Sequence, residues 1–111
     1  MSCLFCRIFN REIPVNLVYE NEKVIGFKDI APQAKEHYLF IHKNHSNHVN
    51  ELGQNDLVDV FHAIKLFTES TELKKTGFRV VTNSGSDAGQ TVFHTHFHVL
   101  GGEALRGFGA R

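Results

Sequence analysis

Histidine occupies three alternate positions near the C-terminus, His94, His96 and His98, within V-F-H-T-H-F-H-V-L. In an extended chain successive side chains point to opposite faces, so the three imidazoles are predicted to share one face, spaced by roughly 6.6–6.8 Å. The other face carries Phe93, Phe97 and Val99, an apolar stripe suited to a core. A neutral imidazole can attack phosphorus, and a neighbouring ring can stabilise charge or donate a proton. The rival chemistry is metal-assisted hydrolysis, in which His-x-His on a strand offers two nitrogens to one Zn²⁺ that keeps an open position.

The segment before the histidines is Asn83-Ser84-Gly85-Ser86-Asp87-Ala88-Gly89-Gln90-Thr91. Its glycines permit close backbone approach, exposed N–H groups there could bind phosphate oxygens, and Ser86 and Thr91 add hydroxyls. At the other end Cys3 and Cys6 form a C-x-x-C pair. Spacing leaves three readings open: a redox pair, half of a Cys₂His₂ zinc shell, or two buried thiols. The βαβ pattern expected around a thioredoxin-like pair is missing.

These groups must be positioned by short strands and one substantial helix. Leu17-Val18-Tyr19, Val24 to Phe27, Tyr38 to Ile41 and Phe78 to Val81 read as strands, with the histidine segment as another. Over residues 55–73 the period changes. Asn55 is a candidate cap, and Leu57, Val60, Phe61, Ile64 and Phe67 follow at helical steps. This helix is scaffold, and His62 belongs on its surface. Short connections favour antiparallel pairing, which gives an α+β domain.

The 111 residues are expected to form a single domain, 1–111, with 41% hydrophobic and 22% charged residues. Twelve basic residues balance twelve acidic ones, so phosphate-backbone binding has no bulk electrostatic support and no nucleic-acid partner is expected. No run approaches the ~18 apolar residues of a membrane span, so no membrane association is expected. Two cysteines are too few for a disulfide framework. The expected setting is a reducing compartment, the cytoplasm.

Taken together, these residues resemble the histidine triad (HIT) superfamily, most closely its HINT-like branch. His94-Thr95-His96-Phe97-His98-Val99-Leu100 matches H-x-H-x-H-x-x, and F-C-R-I-F-N-R-E-I-P, F-K-D-I-A-P-Q-A, H-Y-L-F-I-H-K-N-H and N-S-G-S-D-A-G-Q-T-V follow in family order. The resemblance implies a HIT-like α+β fold: a mainly five-stranded antiparallel sheet, one long helix and short helical segments, with the sheet extended across a homodimer. It implies hydrolysis of purine nucleoside phosphoramidates, such as an adenosine 5'-phosphoramidate or aminoacyl-adenylate, without an organic cofactor. Fhit-like dinucleoside polyphosphate hydrolysis, or nucleotide sensing with incidental turnover, are the alternatives.

Carried over by position, His96 would be the nucleophile, forming a covalent nucleotidyl-histidine. His98 would contact the phosphate oxygens, and the His94 carbonyl would fix the His96 tautomer. His37 matches a further active-site histidine. Asn83, Gly89 and Thr91 match phosphate-loop positions, with the Thr91 hydroxyl assisting the leaving group. Asp29 matches the ribose-binding acid, and Phe5, Ile8, Phe27 and Ile30 would form the apolar base slot. Cys3, Cys6, His45 and His94 match the shell of a structural zinc found in some members. Three departures stand out: Lys28 where histidine is frequent, Ala88 where glycine is common, and the ending E-A-L-R-G-F-G-A-R. Ala88 is compatible with the loop provided its φ is negative.

Overall fold

Strand alternation sorts the side chains into two layers. In the computed structural model, which describes residues 3–107, five strands form one sheet: β1 (Leu17–Glu20), β2 (Val24–Lys28), β3 (Glu36–His42), β4 (Phe78–Val81) and β5 (His96–Gly101). Their order is β1-β2-β3-β5-β4, with every neighbouring pair antiparallel. The helices are α1 (Leu4–Phe9), α2 (Gln54–Glu69) and α3 (Leu73–Thr76). The HIT-like sheet, the long helix and the short helical segments are those expected.

On one face Val24, Tyr38, Phe40, Phe97 and Val99 pack against Val60, Ala63, Ile64 and Phe67 of α2. The alternate residues, Ile25, Phe27, Leu39 and Ile41, pack on the other face with Phe5 and Ile8 of α1. Removing such apolar side chains from water stabilises the fold by about 1.5–3 kcal/mol each. Gly26 has a packing reason to lack a side chain, because a Cβ there would lie 2.6 Å from the Phe40 ring.

Helix α2 begins at Gln54 with Gly53 in the cap position, so Asn55 is not the cap. The helix also ends at Glu69 rather than at residue 73. The Ser70 and Thr71 hydroxyls bond to the carbonyls of Phe67 and Thr68, and Thr71 Oγ1 accepts the Leu73 N–H. Such local bonds compete with helix continuation. His62 is exposed, as its position suggested.

The histidine strand is shorter than its alternation implied. β5 starts at His96, and before it the chain is held differently, with the Thr95 N–H donating to Ser46 O at 2.8 Å. His94 therefore lies outside the ladder, and Phe93, expected in the core, is 48% exposed. Among the described residues no helix is long and apolar enough to cross a membrane.

Candidate active site

His96 is nearly buried at the first position of β5. Its Nδ1 lies 2.8 Å from the His94 carbonyl, which can only accept, so Nδ1 carries the proton of the neutral ring. Nε2 is left with its lone pair. The Phe5 ring stands edge-on to the imidazole, with centroids 4.9 Å apart. Burial holds the His96 pKa below its ordinary value, against the opposing pull of the His94 hydrogen bond and Asp29. The ring is therefore neutral and nucleophilic near pH 7.

His98, two residues on, shares that face, with ring centroids 5.2 Å from His96. In the β3–β5 register His98 sits opposite Leu39, which places His37 diagonally across from it. The Gln33 N–H donates to His37 Nδ1 at 3.0 Å, so His37 carries its proton on Nε2. That N–H donates to His98 Nδ1 at 2.8 Å, leaving His98 to carry its own proton on Nε2. One backbone amide thus sets two tautomers in succession. The result is a pair of opposite hydrogen-bonding character: His96 offers a lone pair and His98 an N–H. Burial, with His96 and His37 nearby, pushes the His98 pKa down to about 4. Burial likewise lowers His37, against the attraction of Asp29.

A cavity of about 330 Å³ opens beside the pair. Phe5, Ile8, Phe27, Asp29, Ile30, Thr91, His96 and His98 all line it, so eight residues singled out in the sequence meet there. The apolar wall is larger than foreseen, since Ile13, Pro14, Val15, Leu39 and Val92 contribute. Ile30 is 95% exposed, so it forms a rim and not a buried slot. Asp29 turns Oδ1 to the Ala31 N–H at 2.9 Å and holds Oδ2 3.4 Å from His37 Nε2. Asn83 and Gly89 are not among the lining residues.

The polar loop differs from expectation in its donors. The Gly85 N–H donates to Gln90 Oε1 at 2.8 Å, and the Gly89 N–H donates to Ser86 O at 3.0 Å. Neither glycine amide is therefore free for an anion. The two glycines serve through φ values of +89° and +92°, which bulkier residues rarely adopt. Ala88 keeps a negative φ, since Arg11 is the one non-glycine with positive φ among the described residues.

Three described clusters bring potential metal ligands together: Cys3, Cys6, His45 and His94; Asp29, His37 and His98; and His42, Asp56 and Asp59. The tautomers separate them. His42 Nδ1 accepts the Asn44 N–H, so Nε2 bears the proton that bonds Asp59 at 3.0 Å. His37 Nε2 bears a proton for the same reason, so neither nitrogen is a free ligand. In the first cluster the reverse holds. His94 Nε2–H donates to His42 O at 2.8 Å and His45 Nε2–H to Asn47 Oδ1 at 3.1 Å, leaving both Nδ1 lone pairs facing the sulfurs. Cys3 Sγ lies 3.3 Å and Cys6 Sγ 3.5 Å from His94 Nδ1, Cys6 Sγ lies 3.5 Å from His45 Nδ1, and the two Nδ1 atoms are 3.1 Å apart. Tetrahedral zinc separates such ligands by about 3.3–3.8 Å, from bond lengths of about 2.0–2.3 Å. His96 belongs to none of the three clusters.

Two polar partners escaped the sequence. Gln33 acts through its backbone, for which side-chain identity carries no signal. Gln90 could have been noticed as a long amide among the small residues of its loop.

A model of the HIT domain matches residues 10–105. The chain belongs to the HIT family. It is 42% identical over 101 residues to an uncharacterised HIT-like protein of Methanocaldococcus jannaschii, covering 88% of this chain and 77% of that protein. Among solved structures it is similar to a HIT family hydrolase from Clostridium thermocellum, with a TM-score of 0.90, 41% identity and 96% of each chain covered. It also resembles a histidine triad nucleotide-binding protein from Candida albicans, with a TM-score of 0.84, 35% identity, and 88% of this chain and 73% of that one covered.

Proposed function

We propose that this chain is a hydrolase of purine nucleoside 5'-phosphoramidates that works through a covalent nucleotidyl-histidine on His96. The observation that carries the reading is the opposed tautomer pair beside the apolar cavity. His96 Nε2 forms a bond to the α-phosphorus while the phosphorus–nitrogen bond breaks, and the departing amine takes a proton from solvent, relayed through the Thr91 hydroxyl. His98 Nε2–H donates to a non-bridging oxygen as charge builds there. That Thr91 lines the cavity together with His96 and His98 supports this relay. Water then cleaves the nucleotidyl-histidine, so one difficult displacement becomes two easier ones. The base fits between Phe5, Ile8 and Phe27, and the carboxylate of Asp29 accepts from ribose hydroxyls. The likeness to a nucleotide-binding relative supports the same ligand class.

The test is AMP release from an adenosine phosphoramidate by wild type and His96→Ala at matched folding. Loss of at least ~10³-fold in the variant, with AMP binding retained, is the expected outcome. Equal turnover by the two proteins would reject His96 as nucleophile. Turnover of a dinucleoside polyphosphate but not of the phosphoramidate would move the substrate class to the Fhit-like one.

The reading includes a structural zinc held by Cys3, Cys6, His45 and His94. Four protein ligands leave no open position, so the ion would pin α1 to the sheet and take no part in the displacement. Burial and the neighbouring Cys3 push the Cys6 thiol up to about 11, a cost that a shared cation would reverse. It also includes a homodimer formed along β4, an edge strand whose Phe78, 40% exposed, lines the same groove as Phe61 of α2, itself 44% exposed. Phe78→Lys should shift the solution mass to that of a monomer. Free Cys3 and Cys6 suit a reducing setting such as the cytoplasm.

A further inference from the structure

Gln90 is 4% exposed, yet no step described above uses it. Its side chain makes three hydrogen bonds in three directions. Oε1 accepts the Gly85 N–H at 2.8 Å, and Nε2 donates to Asn47 O at 2.6 Å and to Val92 O at 3.1 Å. The Gln90 backbone N–H also returns to Gly85 O at 3.1 Å. Gly85 is thus held from both its amide and its carbonyl by one residue, which closes segment 85–90 into a ring. The two donors fasten that ring to the loop after His45 and to the segment that enters β5.

Thr91 lies between the two anchors, Gln90 and Val92, and lines the cavity beside His96 and His98. It is exposed, and the residues on either side of it are tied together by the bond from Gln90 Nε2 to Val92 O. The anchors on both sides hold the backbone that carries the Thr91 hydroxyl. A buried amide with both N–H groups bonded is demanding to replace, because an apolar substitute leaves Asn47 O and Val92 O without this donor.

We propose that Gln90 is a positioning residue for the reaction at His96: it locks the polar loop and aims the Thr91 hydroxyl at the leaving group. The inference rests on the phosphoramidase reading for its chemistry, but its structural half stands apart from it. Gln90→Met keeps the chain length and removes the hydrogen bonds. Gln90→Glu keeps one acceptor and replaces the donors by a carboxylate oxygen.

The experiment is a double-mutant cycle on Gln90→Met and Thr91→Ala, run on folded protein, with amide exchange at Gly85 followed in parallel. Gly85 exchange should quicken at least tenfold in Gln90→Met. AMP release should fall tenfold or more in kcat with a smaller change in KM, and Gln90→Glu should fall at least as far. In the Thr91→Ala background, Gln90→Met should lower kcat by less than threefold, because the hydroxyl it aims is gone. Full additivity, or unchanged kcat in folded Gln90→Met, overturns the proposal. If Gln90→Met does not fold, Gln90→Glu carries the same cycle. If wild type releases no AMP from the phosphoramidate, the functional reading fails. Gly85 exchange and AMP affinity then decide for Gln90, and no change in either variant overturns it.

Discussion

Two histidine clusters flank His96, and they differ in what their neighbours do with the ring protons. In the Cys3, Cys6, His45 and His94 cluster, acceptors at His42 O and Asn47 Oδ1 draw the protons outward and leave lone pairs facing inward. In the His37 and His98 cluster, a donor at Gln33 pushes the first proton forward, so that an N–H emerges at the far end. The same side chain offers a lone pair or a hydrogen-bond donor according to the one group bonded to its other nitrogen. His94 joins the first cluster to His96: its ring belongs to that cluster and its carbonyl orients the His96 imidazole.

The largest effect should come from breaking the inward-facing cluster. Cys6→Ala should lower zinc affinity by at least ~10³-fold, given apparent binding energies on the order of 10–16 kcal/mol for structural zinc sites. Competition with a chromophoric chelator measures it, and undiminished uptake would show that the four residues do not act as one shell. AMP release by the fraction still folded should change far less.

Breaking the other chain should do the reverse. His37→Phe removes the donor to His98 Nδ1 and frees His98 to take the wrong tautomer. A fall in kcat of roughly 10–10²-fold is expected, within the range for a misplaced acid–base partner. Zinc content should stay at the wild-type level, and a joint loss of zinc and turnover would erase the distinction between the clusters.

A milder change sharpens the first cluster. Asn47→Ala removes the acceptor that orients His45 while leaving the four ligands in place, so zinc affinity should drop by about tenfold. An equal affinity in the chelator competition would mean that His45 needs no orienting partner.

The smallest effect is on stability against pH. His98, facing His37, His96 and Asp29, is held by burial at about 4 against an ordinary 6.5, so it stays neutral in the fold. As pH falls below ~6.5 the unfolded chain takes the proton first, so the stabilising contribution is complete above that pH and is lost towards 4. The melting temperature should drop by on the order of 5 °C over this window. Replacing His98 with Asn should shrink that drop, leaving the part due to His94, His96 and His37, which burial also lowers, and an unchanged slope would assign the acid sensitivity to those groups.

Much of this was legible in the residues. Short strand-like runs and the alternating histidine segment located all five strands, with Phe78 to Val81 matching β4 end to end, and the helical period located α2. The H-x-H-x-H motif and its companions pointed to the family that the HIT match over residues 10–105 establishes. Less legible were features set by contacts distant in sequence. Ser46 captures the Thr95 amide and takes His94 out of the strand, so the predicted single row of three imidazoles becomes a pair and a separate ring facing the two cysteines. The loop glycines, read as amide donors, have their N–H groups already occupied by Gln90 and Ser86.

The sequence alone determined which side chains could do chemistry and which periodicities would carry them, because both follow from residue type and local spacing. Only the tertiary structure decided where each proton sits. An imidazole's tautomer depends on a partner at its second nitrogen, and here those partners are the backbone or side-chain groups of His94, Gln33, His42 and Asn47. For His94 the partner lies 52 residues away along the chain. Folding makes that contact, and no local pattern encodes it.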